Sequence, residues 1–498
     1  MTPTDTGKPK YGEWPWIVFA AGVVCFYLYA LTIPLLGPDE PRYAQVAREM
    51  FERGDWITPT LGGFHWFEKP ALLYWLQIAS YHIFGVNEFA ARFGSALCGL
   101  GIVASLWVLG SRASPTIAGA ERSSGLSLGR LLALLTATTL AIMVFARGAS
   151  FDIVVTFPLT AALVSFFIFD RDSESRVTPL IIFYFFVGVA VLAKGLIGVI
   201  FPFAIIGVYF LMARRIPNRV FLVSLVWGTL LAALVAAVWY MPMYWRHGYE
   251  FVDEFFIQHH FARYTSNKYQ HPQPFYFYLW VLPLMALPWT PFFLAESVRR
   301  LAAAIKTRSL RASPLAIFAT SWLVVPVAFF SLSGSKLPGY ILPAVPPAIL
   351  IAGIFLFRRI HISTTWRYAV VGISVSIVLL SLFALTFSLP KYARDDSVKH
   401  LILSADARGM AASRVLTLHT ISHNAEFYAP GRLERDERGR QQRLSGNDEL
   451  LARLAENGAA VLVLVPLGYL ETLTRDTRMS SEVIDTNSEL AAVKVAKR

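Results

Sequence analysis

The chain has 498 residues, of which 55% are hydrophobic and 16% are charged, and its formal net charge is +12. Its mean hydropathy of +0.50 exceeds what a soluble domain of this length can bury, so the composition excludes an ordinary soluble protein and indicates an integral membrane protein. Only two cysteines occur, which argues against a disulfide framework, and the basic residues are scattered in short loops rather than clustered as in a nucleic-acid-binding protein.

The first apolar run covers residues 14–36 and follows a short basic segment with Lys8 and Lys10. Its length is about that of one bilayer span. It leads into Asp39 without a small-x-small cleavage site. We therefore predict a retained first membrane helix rather than a cleaved secretory signal.

Similar apolar runs recur along the chain as far as Leu389. They predict about eleven membrane spans, and up to about thirteen if closely spaced runs are divided differently. The predicted spans are 14–36, 89–110, 130–148, 152–169, 178–193, 195–212, 220–244, 276–297, 315–332, 339–357 and 367–389.

The loops between these spans differ in charge on the two sides of the membrane. With the N-terminus in the cytoplasm, every alternate loop carries a group of basic residues, as the positive-inside rule expects. The opposite loops include two long ones, a first outer loop at 37–88 and a second outer loop at 245–275, together with short turns around 147–152, 194 and 333–340. The unusual polar residues are therefore predicted to gather on one extracytoplasmic face.

After Leu389 the composition changes to that of a soluble segment, residues 390–498. Residues 415–418 and 460–465 have the apolar character of buried strands, and 447–457 fit an amphipathic helix closed by Gly458. We predict a small extracytoplasmic α/β domain behind a membrane domain at 1–389. The charged run 431–443 is predicted to be a solvated loop.

The first outer loop opens with an acidic pair at the start of a short amphipathic helix, which we expect to lie along the membrane surface. By position alone, Asp39 fits either an N-cap of this helix or a catalytic carboxylate. The same loop carries Arg42, Glu68 and Lys69 beside aromatic residues. Charges at a lipid boundary are costly unless they line a wet site enclosed by protein, so this loop is the predicted location of the chemistry.

Five short motifs follow one another along the chain: Asp39-Glu40-x-Arg42-Tyr43, Gly54-Asp55-Trp56-Ile57-x-Pro59, Phe67-Glu68-Lys69-Pro70, Phe84-Gly85-x-Asn87-x-Phe89 and Ser335-Lys336-Leu337-Pro338-x-Tyr340-Ile341-Leu342-Pro343. Together they resemble the aminoarabinose transferases that modify lipid A. These belong to the GT-C superfamily of polyprenyl-phosphate-sugar glycosyltransferases, which also holds protein O-mannosyltransferases. The likeness extends over residues 15–350, whereas the C-terminal segment is similar in general character alone.

The resemblance implies a GT-C helical bundle with interfacial helices in the first outer loop, in a bacterial inner membrane. It implies inverting transfer of a sugar, 4-amino-4-deoxy-L-arabinose, from undecaprenyl phosphate to lipid A or a related envelope glycan on the periplasmic face. Protein O-mannosyl transfer and galacturonosyl transfer to lipopolysaccharide stay open as alternatives. A secondary transporter is disfavoured, because transporters hold ionisable residues near mid-membrane and here they lie at span ends.

The resemblance also implies roles for single residues. Asp39 would lie nearest the chemistry and Asp152 would be a second acid, although position alone also allows Asp152 an N-cap role. Guanidinium and ammonium groups suit the donor phosphate, and the candidates are Arg42, Lys69 and Arg263, each of which could instead snorkel to lipid headgroups. The family motif adds Lys336 and Tyr340 beside the lipid phosphate.

The second outer loop carries the adjacent residues His259 and His260. Neighbouring side chains on a helix point about 100° apart, so the two histidines are not expected to bind one metal together. The family pattern places a histidine three residues before an arginine, which selects His260. A zinc or other divalent cation held by Glu68 and His260 is one hypothesis, and ordinary hydrogen bonding between these side chains is the alternative.

Overall fold

The structure is a computed structural model. It describes residues 14–113, 126–172, 174, 176–261, 273–307, 313–457 and 459–498. The predictions for Arg263 and Gly458 lie outside the described residues, and so does the side chain of His260.

The described part up to residue 388 is a bundle of helices. Its first half contains α1 (Trp14–Leu28), α2 (Asp39–Arg53), the hairpin of β1 (Thr60–Leu61) and β2 (Phe64–His65), α3 (Leu72–Phe84), α4 (Glu88–Ala113), α5 (Leu128–Ala137), α6 (Leu140–Phe145) and α7 (Phe151–Arg171). It continues with α8 (Thr178–Lys194), α9 (Ile197–Ala213), α10 (Arg219–Val252), α11 (Phe277–Met285), α12 (Thr290–Thr307), α13 (Pro314–Ser331), α14 (Val345–Ile362) and α15 (Thr364–Phe383). A π-helical segment, Asp253–Phe261, extends α10, and a 3₁₀ helix, Pro338–Ala344, precedes α14.

Ten of the eleven predicted spans coincide with one helix or with consecutive helices, whereas the first, predicted at 14–36, is helical over Trp14–Leu28 alone. Within the described residues, six helical segments are long and apolar enough to cross a bilayer by themselves, and four shorter apolar helices accompany them. The segments are Glu88–Ala113, Phe151–Arg171, Arg219–Phe255, Pro314–Ser331, Pro338–Ile362 and Thr364–Asp396. The multi-span α-helical fold class is therefore confirmed.

Two predicted spans are each broken near the middle. The break between α5 and α6 lies against the break between α11 and α12, since the Leu140 amide donates to the Leu287 carbonyl at 2.8 Å. The indole of Trp289 donates to the Leu135 carbonyl at 2.9 Å. Backbone groups released from a helix inside a membrane need partners within the protein, and the two breaks supply them to each other.

The C-terminal part contains α16 (Leu389–Asp396), α17 (Lys399–Ala405), β3 (Val415–Leu418), α18 (Ala425–Tyr428), β4 (Arg443–Leu444), α19 (Asn447–Asn457), β5 (Val461–Pro466), α20 (Leu467–Thr474), β6 (Met479–Thr486) and β7 (Leu490–Lys497). One sheet has the order β4-β3-β5-β7-β6. Strands β4, β3 and β5 are parallel, and β7 pairs antiparallel with β5 and β6. The predicted buried strands and the amphipathic helix at 447–457 are confirmed.

The charged run 431–443 is not the simple solvated loop that we predicted. Arg432 pairs with Asp406 at 2.8 Å. Arg435 pairs with Glu426, and both side chains are largely buried. The prediction was wrong for these arginines because their partners lie outside the run, where composition alone does not reveal them.

The C-terminal part packs directly on the first outer loop. The hydroxyl of Tyr428 in α18 accepts from the Leu35 amide at 2.8 Å and donates to the Glu88 carboxylate at 3.1 Å. Lys399 in α17 pairs with the same carboxylate at 2.5 Å. Glu88 is buried at the start of α4, so these contacts join the C-terminal part to the chain segment that leads into α2.

Candidate active site

A cavity of about 450 Å³ lies at one end of the helical bundle, beneath the first outer loop. The start of α2, the turn before α7, the end of α8 and the segment after α13 surround it. Its polar lining consists of Asp39, Glu40, Tyr43, Glu68, Lys69, Ser150, Asp152, Lys194, Ser333, Ser335 and Tyr340. The structure therefore brings five of the predicted site residues to one cavity: Asp39, Glu68, Lys69, Asp152 and Tyr340.

Asp39 lies in the first turn of α2, and the residue at the N-cap position is Pro38. The carboxylate pairs with Arg42 at 2.5 Å and retains 54% of its side-chain exposure. The guanidinium also donates to the Pro38 carbonyl at 2.9 Å and lies 5.7 Å from the centre of the Trp66 ring. Of the two roles left open for Asp39, the structure supports a carboxylate that faces the cavity rather than an N-cap.

Arg42 is held as a cation. Burial lowers the pKa of its guanidinium, but the nearby Asp39, Tyr43 and Glu68 outweigh burial, and the net shift of the pKa is upward. Arg42 is therefore positively charged at any physiological pH. It fixes the direction of the Asp39 carboxylate from one side and leaves the other side open to the cavity.

Asp152 forms an ion pair with Lys194, and both side chains are about four-fifths buried. The N-cap of α7 is Ser150, whose hydroxyl accepts from the Asp152 amide at 3.2 Å. The N-cap alternative for Asp152 is therefore not observed. Lys194 is the last residue of α8, where the helix dipole favours a cation, and its ammonium lies 4.9 Å from the centre of the Tyr340 ring.

Glu68 and Lys69 follow the β1–β2 hairpin, and their charged groups lie 4.0 Å apart. Both side chains are mostly buried and line the cavity. Within the described ranges, no group of three or more His, Cys, Asp or Glu side chains is arranged to hold a metal ion. Of the two predicted metal ligands, Glu68 is the one whose side chain is described.

Lys336 lies in the turn after α13, between two residues that line the cavity, Ser335 and Leu337. Its ammonium donates to the carbonyl of Ser333 at 2.5 Å and to that of Gln273 at 3.1 Å, and the residue is 6% exposed. Lys336 itself is not part of the described cavity wall. Its role beside a lipid phosphate stays a prediction.

Glu40 is a site residue that the sequence analysis missed. Its carboxylate accepts from the guanidinium of the buried Arg92 in α4 at 2.7 and 2.9 Å. It also accepts from the amides of Leu36 at 2.8 Å and Ala149 at 2.7 Å. One carboxylate thus connects the first outer loop, α4 and the turn before α7, and it holds the loop of Asp39 beside the turn of Asp152.

His423, in the segment between β3 and α18, is a second residue that the sequence analysis missed. Burial lowers its pKa to about 4, with a further decrease caused by the charge of Arg42, while Asp39 acts in the opposite direction. The imidazole is therefore neutral at physiological pH. This electrostatic coupling places the C-terminal part close to the Asp39–Arg42 pair.

Gly339 gives a first test of the cavity wall. A Cβ atom at this position would collide with the Asp152 carboxylate. We expect Gly339→Ala to displace Asp152 from Lys194 and, if this cavity is the active site, to lower the enzymatic rate by about tenfold or more, because small misplacements of site groups have effects of this size. Gly207→Ala is the matched control, since a Cβ there meets nothing within 4 Å. Equal activities of the two variants, measured at saturating substrate, would contradict this geometry.

Comparisons with known proteins identify relatives of this chain. The model of the dolichyl-phosphate-mannose-protein mannosyltransferase family matches residues 17–254. An undecaprenyl phosphate-α-4-amino-4-deoxy-L-arabinose arabinosyl transferase of Pseudomonas fluorescens is 32% identical over 402 residues, which cover 78% of this chain and 68% of that protein. The protein of the same name from Aeromonas salmonicida is 31% identical, over 74% of this chain and 66% of its own length.

Two solved structures have the same fold. ArnT from Cupriavidus metallidurans bound to undecaprenyl phosphate superposes with a TM-score of 0.72 at 22% identity, over 97% of this chain and 98% of that one. The oligosaccharyltransferase of Archaeoglobus fulgidus gives a TM-score of 0.54 at 13% identity, over 93% of this chain and 70% of that one. The bundle is a GT-C fold, and the chain belongs to the family of undecaprenyl phosphate-α-4-amino-4-deoxy-L-arabinose arabinosyl transferases.

Proposed function

We propose that this chain transfers 4-amino-4-deoxy-L-arabinose from undecaprenyl phosphate to lipid A. The observation that carries the proposal is the cavity in which Asp39 and Asp152 face the cations Lys69 and Lys194 at one end of a GT-C bundle. The names of the relatives indicate the donor, and the lipid A acceptor follows from the family resemblance. The part of the Aeromonas salmonicida protein that this chain matches is 66% of that protein's length.

The proposed reaction exchanges one bond at the anomeric carbon of the donor sugar. An oxygen of a lipid A phosphate attacks this carbon, the bond to the undecaprenyl phosphate oxygen breaks, and the leaving phosphate takes the bonding electron pair. A phosphate acceptor is already ionised at neutral pH, so no general base is required. The protein then has to orient the two substrates and to stabilise developing charge.

The candidate site residues divide between these two tasks. Lys69, with Arg42 and Arg263, is proposed to hold the donor phosphate, since cations lower the energy of a departing phosphate, and Tyr340 would add a hydroxyl donor. Asp39 would face the anomeric carbon, where positive charge develops in the transition state. Lys194 is proposed as a further cation beside the donor phosphate, because it lines the cavity, and Lys336 stays a candidate on the motif.

The membrane orientation is part of the proposal. The basic loops predict that the cavity end of the bundle faces away from the cytoplasm. The family resemblance implies that the chain lies in a bacterial inner membrane, so that this side is the periplasm. The described C-terminal part packs on the first outer loop and so would lie on the same side. Labelling of cysteines introduced in α19 with a membrane-impermeant reagent on intact spheroplasts should succeed, whereas labelling in the loop between α9 and α10 should fail.

Protein O-mannosyl transfer is the second candidate, favoured by the match of residues 17–254 to the mannosyltransferase family model. The purified chain, offered undecaprenyl phosphate-aminoarabinose and a polyprenyl-phosphate-linked hexose together with lipid A and a serine- and threonine-rich peptide, separates the two. We expect a lipid A that carries aminoarabinose and an unmodified peptide by mass spectrometry. Transfer of the hexose to the peptide, with lipid A left unmodified, would favour the second candidate and contradict the first.

A divalent cation held by Glu68 and His260 stays a prediction. Structural zinc is four-coordinate, so two further ligands would have to join these two side chains. Under the metal hypothesis a chelator inhibits transfer, and one specific metal, added back, restores it. Full activity in excess chelator would eliminate the metal hypothesis and leave hydrogen bonding as the role of Glu68.

A further inference from the structure

Three arginines converge on one carboxylate where α12 packs against α14. We call Arg299, Arg300 and Arg358, gathered around Glu296, the arginine cluster. Glu296 is fully buried and accepts from Arg299 at 2.7 Å, from Arg300 at 2.8 Å and from Arg358 at 3.3 Å. The positive-inside rule explains why arginines are frequent in cytoplasmic loops. It does not explain why three arginines meet on one buried carboxylate between two helices.

The arginine cluster carries more positive charge than its carboxylate neutralises. One carboxylate faces three guanidiniums, and a formal charge of +2 remains. Arg299 and Arg358 keep 52% and 43% of their side-chain exposure, so their remaining N–H groups can reach an outside anion. In Arg300, the buried Nη2 atom has no hydrogen-bond partner within the described residues. Both features indicate that a second anion completes this cluster.

The arginine cluster lies at the end of the bundle opposite the cavity. Helix α14 starts directly after the 3₁₀ helix that contains Tyr340, and Arg358 lies 13 residues beyond Val345, about 20 Å along the helix axis. Helix α13 also places the cluster at the end opposite the cavity. The Ala316 carbonyl, near the start of α13, accepts from Arg300 at 3.0 Å, and the other end of this helix leads into Ser333 of the cavity. The cluster is therefore separate from the proposed transfer site.

An aromatic surface adjoins the arginine cluster. The guanidinium of Arg359 lies 5.2 Å from the centre of the Phe355 ring and 6.0 Å from that of Trp366. Tryptophan next to arginine is typical of the headgroup level of a bilayer, and basic pockets between membrane helices on the cytoplasmic side recognise lipid phosphates. We propose that the arginine cluster binds the phosphate of an anionic phospholipid headgroup. This inference does not depend on the proposed transfer reaction.

The test is a lipid titration of the full chain in detergent, followed by native mass spectrometry. Dioleoyl phosphatidylglycerol, dioleoyl phosphatidylcholine and inorganic phosphate are the three probes. We expect phosphatidylglycerol to form a saturable complex with the wild-type chain. The double variant Arg299→Gln/Arg358→Gln should bind it about tenfold more weakly, since two charge-assisted hydrogen-bonding groups are lost. Phosphatidylcholine should bind both chains equally weakly.

The matched control is Arg214→Gln/Arg219→Gln, which removes two exposed arginines, one directly after α9 and one at the start of α10. These residues lie at the same end of the bundle, because α9 starts at the cavity with Ile197. The control should bind phosphatidylglycerol like the wild type. Equal weakening in both double variants, or equal binding of both lipids, would overturn the proposal, and so would saturable binding of inorganic phosphate without lipid binding. If the double variant fails to fold, the same lipid titration with the single variant Arg358→Gln tests the proposal.

Discussion

Replacing Asp39 with asparagine is expected to lower kcat for sugar transfer by about 100- to 1,000-fold. The change keeps the shape of the side chain and removes the negative charge that faces the cavity beside Arg42. Since the carboxylate is 54% exposed, the folded state should lose little stability, and donor lipid should still bind. The measurement is the initial rate of transfer at saturating donor, together with the affinity for undecaprenyl phosphate.

Glu52→Gln is the matched control for Asp39→Asn. Glu52 belongs to the same helix, pairs with Arg48 at 2.7 Å and is 51% exposed, but it does not line the cavity. Its loss should leave transfer unchanged. A variant Asp39→Asn that transfers sugar at the wild-type rate would remove Asp39 from the proposed mechanism.

Breaking the Asp152–Lys194 pair is expected to have the second largest effect. Lys194→Met leaves the largely buried Asp152 without its cation, and removal of one partner from such a pair costs about 3 kcal/mol of folding free energy. The thermal midpoint in detergent should fall, and transfer should fall about 100-fold, because a cation beside the leaving phosphate is also lost. Both quantities can be measured on one purified sample.

The double variant Lys194→Met/Asp152→Asn separates the two effects. With no uncompensated charge left, its thermal midpoint should return toward the wild-type value, whereas transfer should stay low. Recovery of both stability and activity would show that the pair is structural alone. A thermal midpoint below that of either single variant would show that the two side chains do not form the ion pair.

Much of the fold could be predicted from the sequence, because hydrophobic runs of bilayer length are a local property. The strand patterns predicted at 415–418 and 460–465 were readable for the same reason. The breaks after α5 and α11 were not, since Leu140 and Leu287 are distant in sequence and satisfy each other across the bundle. A helix break that is stabilised by a distant helix leaves little trace in either segment.

The site could be predicted where single motifs place charges on the outer face. Asp39, Lys69 and Asp152 were identified in this way, and all three line the cavity. The partners of two carboxylates were missed because they lie far along the chain: Lys194 pairs with Asp152 across 42 residues, and Arg92 binds Glu40 across 52.

Two further residues show the limits of local inference. Lys194 is a lone charge between two apolar spans. This isolation could have identified it as a site residue, but the sequence analysis did not use it. Lys336 shows that a motif names a residue but not the direction of its side chain: its ammonium lies on the carbonyls of Ser333 and Gln273, and its role beside the donor phosphate stays a prediction.

Mass spectrometry of lipid A from cells tests the central claim most directly. Lipid A is extracted from a strain that lacks the gene, from the same strain with the wild-type gene, and from that strain with Asp39→Asn. The account predicts a mass gain equal to one aminoarabinose with the wild-type gene, and the unmodified mass in the other two strains. Unmodified lipid A with the wild-type gene, in cells that make the donor lipid and express the folded chain, would contradict it.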